Sequence, residues 1–466
     1  MEVAVKSVEN VKPSCPSQLK PFKLCLLDQM MGRGYIGLVL FYPPTPADGE
    51  KETVEAGGGD QKVEKLKASL SKTLNSFYPL AGRVKDNARV EDFEAGVPFV
   101  ESQVKGYDSV SAFLESPNLQ VLNKFLPVEP FCLPNAHHEP LPPPLLVQVN
   151  TFDCGGIAVG LCLNHKLADG VATNSFLRSW SAHCNNNNNS TNHDNDSIIT
   201  SQGSSVFPPR ESMPPHVERL HDKMFLEKGK RPATRRFVFD ANAVASIKAE
   251  ARTSCPVLEN PSRTEAMLAF IWKSIMTAAI STSPGPPPPP QFLMQPVNVR
   301  PRMNLSDECF GNLFCMAMAY SNDPPNQDVG ELAQLIRVGV SRVDHKFLKA
   351  LSNDDGFEAM VEMLNQLSEV SQPQMLCGSS WLRFCFDEVD FGWGKPAWTG
   401  VLGEASADYP SYSNLIILKE HLAHRQDAAG VEAWIRLDVD VMATLEHDPH
   451  FLQFASPNPP IFCSSS

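Results

Sequence analysis

Nowhere in the 466 residues is there an apolar run near the roughly 20 residues that a helix needs to cross a bilayer. The longest clean run, residues 35–42, is far shorter, so no membrane span is expected. Positive charge is also in short supply. There are 40 Lys+Arg against 53 Asp+Glu, a net charge of -13, and no basic stripe, which speaks against nucleic-acid binding because such a chain repels phosphate. The N-terminus has no basic start followed by an apolar core, as a secretory signal would, and it is too acidic and too poor in Arg for a transit peptide. The 12 cysteines are scattered singly with no C-x-x-C. Without an export signal this favours reduced thiols and a cytoplasmic location. What is present is apolar matter, 42% of the chain, enough to bury sizeable cores and to exclude global disorder. At roughly 150 residues per domain, the length suggests about two or three domains, and a monomer is the default expectation.

Three stretches read as surface loops by composition: residues 44–60, residues 184–215 with their run of Asn, and residues 283–291 with five successive prolines. The middle one lies near the midpoint. The expected division is therefore a first domain over 1–204, a crossover over 205–236 and a second domain over 237–466. Between the loops, residues 37–42 read as a buried strand, and residues 145–152 and 157–163 as two strands around the turn Asp153-Cys154-Gly155-Gly156. Apolar spacing predicts helices over 63–77, 170–183 and 262–277, the last opening on a Ser262–Glu265 capping box. Strands are expected again at 415–418 and 432–437. The pattern is mixed α/β, with sheets in both halves.

The most informative segment is Asn164-His165-Lys166-Leu167-Ala168-Asp169-Gly170. It sits where an apolar strand ends and a helix begins, so a side chain there is held rigidly at a cleft. An imidazole with an ordinary pKa near 6.5 can take and return a proton at neutral pH. Two roles are open to Asp169: it orients His165 as part of a triad, or it points away and locks the loop on a basic partner. A histidine that only packs would give the same two-residue pattern. There is no G-x-S-x-G elbow and no H-E-x-x-H. Glu446-His447-Asp448 with His450 reads as a solvated turn, and Asp387-Glu388 with Asp390 as a packed turn, so no metal is expected. Cys154 and Cys162 read as core thiols. One base, no nucleophile and no metal leave direct transfer from an activated electrophile such as a thioester to a hydroxyl or amine.

At this point the sequence resembles the BAHD family of plant acyl-CoA-dependent acyltransferases over nearly its whole length. The likeness is carried by His165-x-x-x-Asp169-Gly170, by Asp390-Phe391-Gly392-Trp393-Gly394, and by Phe77-Tyr78-Pro79-Leu80-Ala81-Gly82-Arg83. It also includes Asn298-Val299-Arg300-Pro301-Arg302, Phe310-Gly311-Asn312 and Ser379-Ser380-Trp381. The last two point to the subgroup that acylates alkaloid, terpenoid and other specialised alcohols, often with acetyl-CoA. Cys309 departs from the aromatic that usually precedes FGN. The resemblance implies a two-domain fold similar to chloramphenicol acetyltransferase, each domain a mixed sheet with flanking helices. It implies a channel reaching His165 from both sides, acyl-CoA as co-substrate, a small-molecule alcohol as acceptor and no permanently bound cofactor. It implies that Asp169 pairs with Arg300, and that Asp390, Phe391, Gly392 and Gly394 are structural, with Trp393 lining or polarising the site as a tentative catalytic residue. Arg383 is a candidate for holding the acceptor. Arg235, Ser262 and Arg263 are candidates for CoA binding. Transfer of a benzoyl or hydroxycinnamoyl group, thioester hydrolysis and a non-catalytic binding scaffold are the rival readings.

Overall fold

The structure is a computed structural model. It describes residues 1–15, 19–44, 58–132, 142–185, 199–211, 213, 226–227, 232–282, 291–323, 326–369, 374–406, 408–421 and 430–461. Most of the loop expected at 44–60, the Asn tract beyond Asn185, the five prolines and Arg231 lie outside the described residues.

Two mixed sheets carry the fold. The N-terminal sheet has the order Glu2–Val11, Val97–Lys105, Leu145–Thr151, Ile157–Asn164, Tyr35–Tyr42, Trp398–Gly400. The C-terminal sheet runs Phe314–Ser321, Gln291–Asn298, Gln374–Ser380, Leu415–His421, Gly430–Asp438, Pro232–Phe239, Ser456–Pro457. Each contains both parallel and antiparallel pairs. Every residue of Tyr35–Tyr42 and of Ile157–Asn164 is buried. That is why these strands read as continuous apolar runs instead of alternating ones. Helices Gly58–Ser76 and Gly170–Cys184 pack together on the first sheet, and Trp180 Nε1 donates to Ser69 Oγ at 3.0 Å. The capping box opens helix Arg263–Thr282 as expected: Ser262 N–H donates to the Glu265 carboxylate at 2.7 Å, and Glu265 N–H to Ser262 Oγ at 3.1 Å. Among the described residues no helix is long and apolar enough to cross a membrane.

Three local expectations are corrected. Helix Gly58–Ser76 starts inside the stretch read as loop; glycine is tolerated in a first turn, where the N–H groups have no intrahelical partner anyway. The stretch after the Asn tract is not structureless. It forms the short helix Gln202–Val206, and Phe207 is fully buried beside Leu26, whose N–H it accepts at 3.0 Å. Strand Pro232–Phe239 begins within the crossover. Of its two arginines, Arg236 is fully buried against Glu432 of the neighbouring strand at 2.9 Å.

The seam between the sheets has its own core. Leu26 and Leu27 from the first half, Phe207 from the crossover, and Val297, Val299 and Leu313 from the second half bury one another. Trp398, on the edge of the first sheet, stacks on Trp434 of the second with ring centroids 5.6 Å apart.

Candidate active site

Strand Ile157–Asn164 stops in a turn, and five residues separate it from helix Gly170–Cys184. His165 is the first residue of that turn and is half-buried. Its backbone is clamped: the N–H donates to Gly34 O at 2.9 Å, and its carbonyl accepts from Asn312 Nδ2 at 2.7 Å. The ring lies 5.7 Å from Phe314, and Nδ1 is 3.1 Å from Asn312 Oδ1.

The surroundings of Asn312 assign the tautomer. Its Nδ2 faces two acceptors, the His165 carbonyl and Asp28 Oδ1 at 3.1 Å. A flipped amide would turn an oxygen toward both of them. Oδ1 therefore faces Nδ1, Nδ1 carries the proton, and Nε2 carries the lone pair. Local sequence gives Asn312 no role of its own, although the FGN motif that contains it is recognisable. The structure shows what that motif does. Phe310 packs on Phe22 and Phe77 of the first half, while Gly311 adopts φ +126° and a Cβ there would sit 3.2 Å from both Asp28 oxygens.

Asp169 caps the helix, accepting from Ala172 N–H at 2.8 Å. Its carboxylate also takes Arg300 Nη1 at 2.7 Å, Arg300 Nη2 at 3.2 Å and Leu313 N–H at 3.0 Å. Arg300 continues to the carbonyls of Cys309 and Gly311. The Asp169–Arg300 pair joins the first half of the chain to the second. Cys309 contributes a backbone carbonyl here.

Lys166 is buried and donates to Gln29 O at 2.8 Å and Met31 O at 2.9 Å. This pins the short helix Leu26–Gln29, which carries Asp28, under the His165 turn. Asp28 is buried and accepts Cys25 N–H at 2.9 Å and Asn312 N–H at 2.7 Å. Burial lifts its carboxyl from 3.8 to about 6, against the hydrogen bonds from Asn312 and Cys25 that pull it down. The folded chain thus binds this proton more tightly than the unfolded one. Ionising Asp28 subtracts stability as pH rises from 3.8 through about 6.

The DFGWG loop is a separate device. Asp390 Oδ1 accepts Gly392 N–H at 2.7 Å and Gly394 N–H at 2.9 Å, with both glycines at positive φ, +102° and +98°. Phe391 is fully buried against Tyr42 and Trp180. Trp393 packs on Tyr42 under the ammonium groups of Lys62 and Lys65. Tyr42 and Tyr35 end opposite sides of one strand, and His165 adjoins the Tyr35 end. Seven strand steps separate the two ends by roughly 23 Å. A Cβ added at Gly394 would meet no atom of the described residues within 4 Å, so Gly394→Ala isolates backbone strain. It should lower stability by about 1–3 kcal/mol and leave the His165 ring untouched; thermal melting checks this.

The remaining candidates have these surroundings. Arg383 is exposed, and the next residue, Phe384, lies over Gly170, where an added Cβ would come within 2.2 Å of its ring. Arg235 spans Glu404 at 3.0 Å and Glu446 at 2.6 Å. Arg263 forms a two-pronged pair with Glu420. A phosphate at that helix end would compete with Glu420 for Arg263 and with Glu265 for Ser262. The acidic clusters are also committed elsewhere: Asp387 to Lys419, Glu388 to Lys395, and Glu446 to Arg235. Burial pushes the Cys162 thiol up, in keeping with a core thiol.

The comparisons agree with this picture. The profile of the Transferase family matches residues 1–452. Akuammiline synthase 2 of Alstonia scholaris is 32% identical over 100% of this chain and 99% of its own length. A limonoid 7-O-acetyltransferase of Citrus sinensis is 34% identical over 98% of this chain and 99% of its own. The crystal structure of vinorine synthase superimposes with a TM-score of 0.79 at 27% identity, covering 99% of this chain and 100% of that one. The chain belongs to this transferase family, the BAHD acyltransferases, enzymes that move an acyl group from acyl-CoA to a small-molecule acceptor.

Proposed function

We propose that the enzyme transfers an acetyl group from acetyl-CoA to a hydroxyl of a plant specialised metabolite of the alkaloid or terpenoid class, with His165 as general base. One observation carries the reading. The Nδ1 hydrogen bond to Asn312 puts the lone pair on Nε2, in a turn at the seam of the two halves. The likeness to enzymes named for O-acetyl transfer to limonoids supports the acetyl group and the alcohol acceptor.

Nε2 takes the proton of the acceptor hydroxyl, and the oxygen attacks the thioester carbonyl carbon. The tetrahedral adduct collapses and the C–S bond breaks. The departing thiolate takes the proton back from the imidazolium, giving ester and free CoA. Both substrates are bound together and no acyl-enzyme forms. A general base in this position is worth about 10²–10⁴ in rate. Water must be kept from the imidazole, otherwise the same base hydrolyses the thioester.

The domains are taken as 1–204 and 237–466 on either side of the crossover, with Trp398–Gly400 lent by the second to the sheet of the first. Arg383, beside the Phe384 that covers Gly170, is assigned to the acceptor side. The Ser262 and Arg263 helix end is assigned to the CoA side. The enzyme works as a cytoplasmic monomer, without metal, permanent cofactor or membrane partner.

The test is incubation with acetyl-, benzoyl- and hydroxycinnamoyl-CoA and an extract of the source tissue, read by mass spectrometry. Acetylated products that disappear with His165→Ala are expected. Aromatic esters instead would overturn the acetyl assignment. CoA release without added extract, matching the rate with it, would make the enzyme a hydrolase.

A further inference from the structure

We propose that Asp28 is a positioning residue for His165, acting through Asn312 to hold the proton on Nδ1 and to steady the imidazolium that forms in turnover. The inference rests on His165 being the base. Three stretches far apart in sequence meet here: Asp28 in the first short helix, His165 at a strand end, and Asn312 in the second half. Among the described residues no cation pairs with the Asp28 carboxylate. Its contacts are neutral donors: Cys25 N, Asn312 N and Asn312 Nδ2, with the Cys25 thiol beside them. A buried carboxylate with no cation is a poor stabilising device. Its charge falls instead on the amide whose oxygen faces Nδ1. An anion there draws the Asn312 N–H groups toward itself, strengthens Oδ1 as an acceptor and favours the protonated ring.

Other charged and titratable groups surround this line. Cys25 shares the helix of Asp28, and Cys309 lies in the facing loop. Lys166 places its ammonium on the Gln29 and Met31 carbonyls. Asp169 and Arg300 neutralise each other behind Leu313 and Gly311. Arg210, from the crossover, approaches through its backbone N–H to Gln29. Of these, Asp28 is the carboxylate bonded to the amide that touches the imidazole. Burial raises its pKa to about 6, so its charge changes within the pH range of the titration below.

The experiment is a pH titration of the full chain labelled with ¹⁵N in the imidazole rings, with the His165 signals identified by their loss in His165→Gln. The unmodified protein should show the Nδ1–H tautomer and a ring titration in two coupled steps. Asp28→Asn should lower the His165 pKa by about one unit, a tenfold change in the protonation equilibrium. An unchanged His165 titration and tautomer in a folded Asp28→Asn variant would overturn the proposal. If that variant does not fold, the unmodified chain decides: a single-step curve or an Nε2–H tautomer overturns it, and two coupled steps sustain it. The outcome is separate from that of the base assignment. Turnover surviving in His165→Ala would remove the base and leave these ring shifts as measured. A dead His165→Ala with an indifferent Asp28→Asn would remove only the positioning role.

Discussion

His165→Ala should lower acyl transfer by about 10²–10⁴ while the protein stays folded and still binds CoA. The side chain is half-buried and is not what holds the turn. The turn is held by backbone bonds to Gly34 and Asn312, by the Asp169 cap and by Lys166, and alanine keeps all of these. The check is CoA thiol release in the presence of an acceptor, alongside thermal melting and CoA titration. A residual rate within a few-fold of the parent would mean that another group takes the proton.

Arg300→Met should have the opposite profile. It leaves Asp169 buried with no cation. Breaking a buried pair from one side costs about 3–5 kcal/mol, a large share of the 5–15 kcal/mol that typically holds a protein folded. Most of the protein should be lost from the soluble fraction, and activity should fall with it. Asp169→Asn should follow the same course less steeply, because its single amide oxygen still accepts from either Ala172 N–H or Leu313 N–H, which the carboxylate satisfies with separate oxygens. The double variant Asp169→Asn with Arg300→Met removes both charges and should recover part of the yield, a coupling that soluble yield and melting temperature can measure. If Asp169→Asn kept its full melting temperature and lost only rate, Asp169 would be an orienting group instead.

The sequence disclosed elements whose burial is uniform or whose boundaries are chemical. Strand Tyr35–Tyr42 is legible because both faces are covered, and helix Gly170–Cys184 because Asp169 and Gly170 mark its start. His165 stood out because a strand end and a helix start bracket it. What could not be read were pairings between distant residues. Arg236 falls within the expected crossover, and its partner, Glu432, lies on a strand 196 positions away. Asp28 belongs to none of the motifs found in the sequence. Its place at the site depends on Asn312, 284 positions on. Periodicity reports which face of an element is buried, not which element it meets.

Trp398–Gly400 pairs with Val39–Phe41 and closes one border of the first sheet. A ribosome making this protein must therefore pass residue 400 before that border is covered. Until then the emerging N-terminal half presents bare backbone donors and acceptors beside a fully apolar strand, an arrangement prone to pair with other chains. Fragments that stop before residue 398 should aggregate even though they contain the whole His165 turn, and the two halves should have to be produced together to give a usable enzyme.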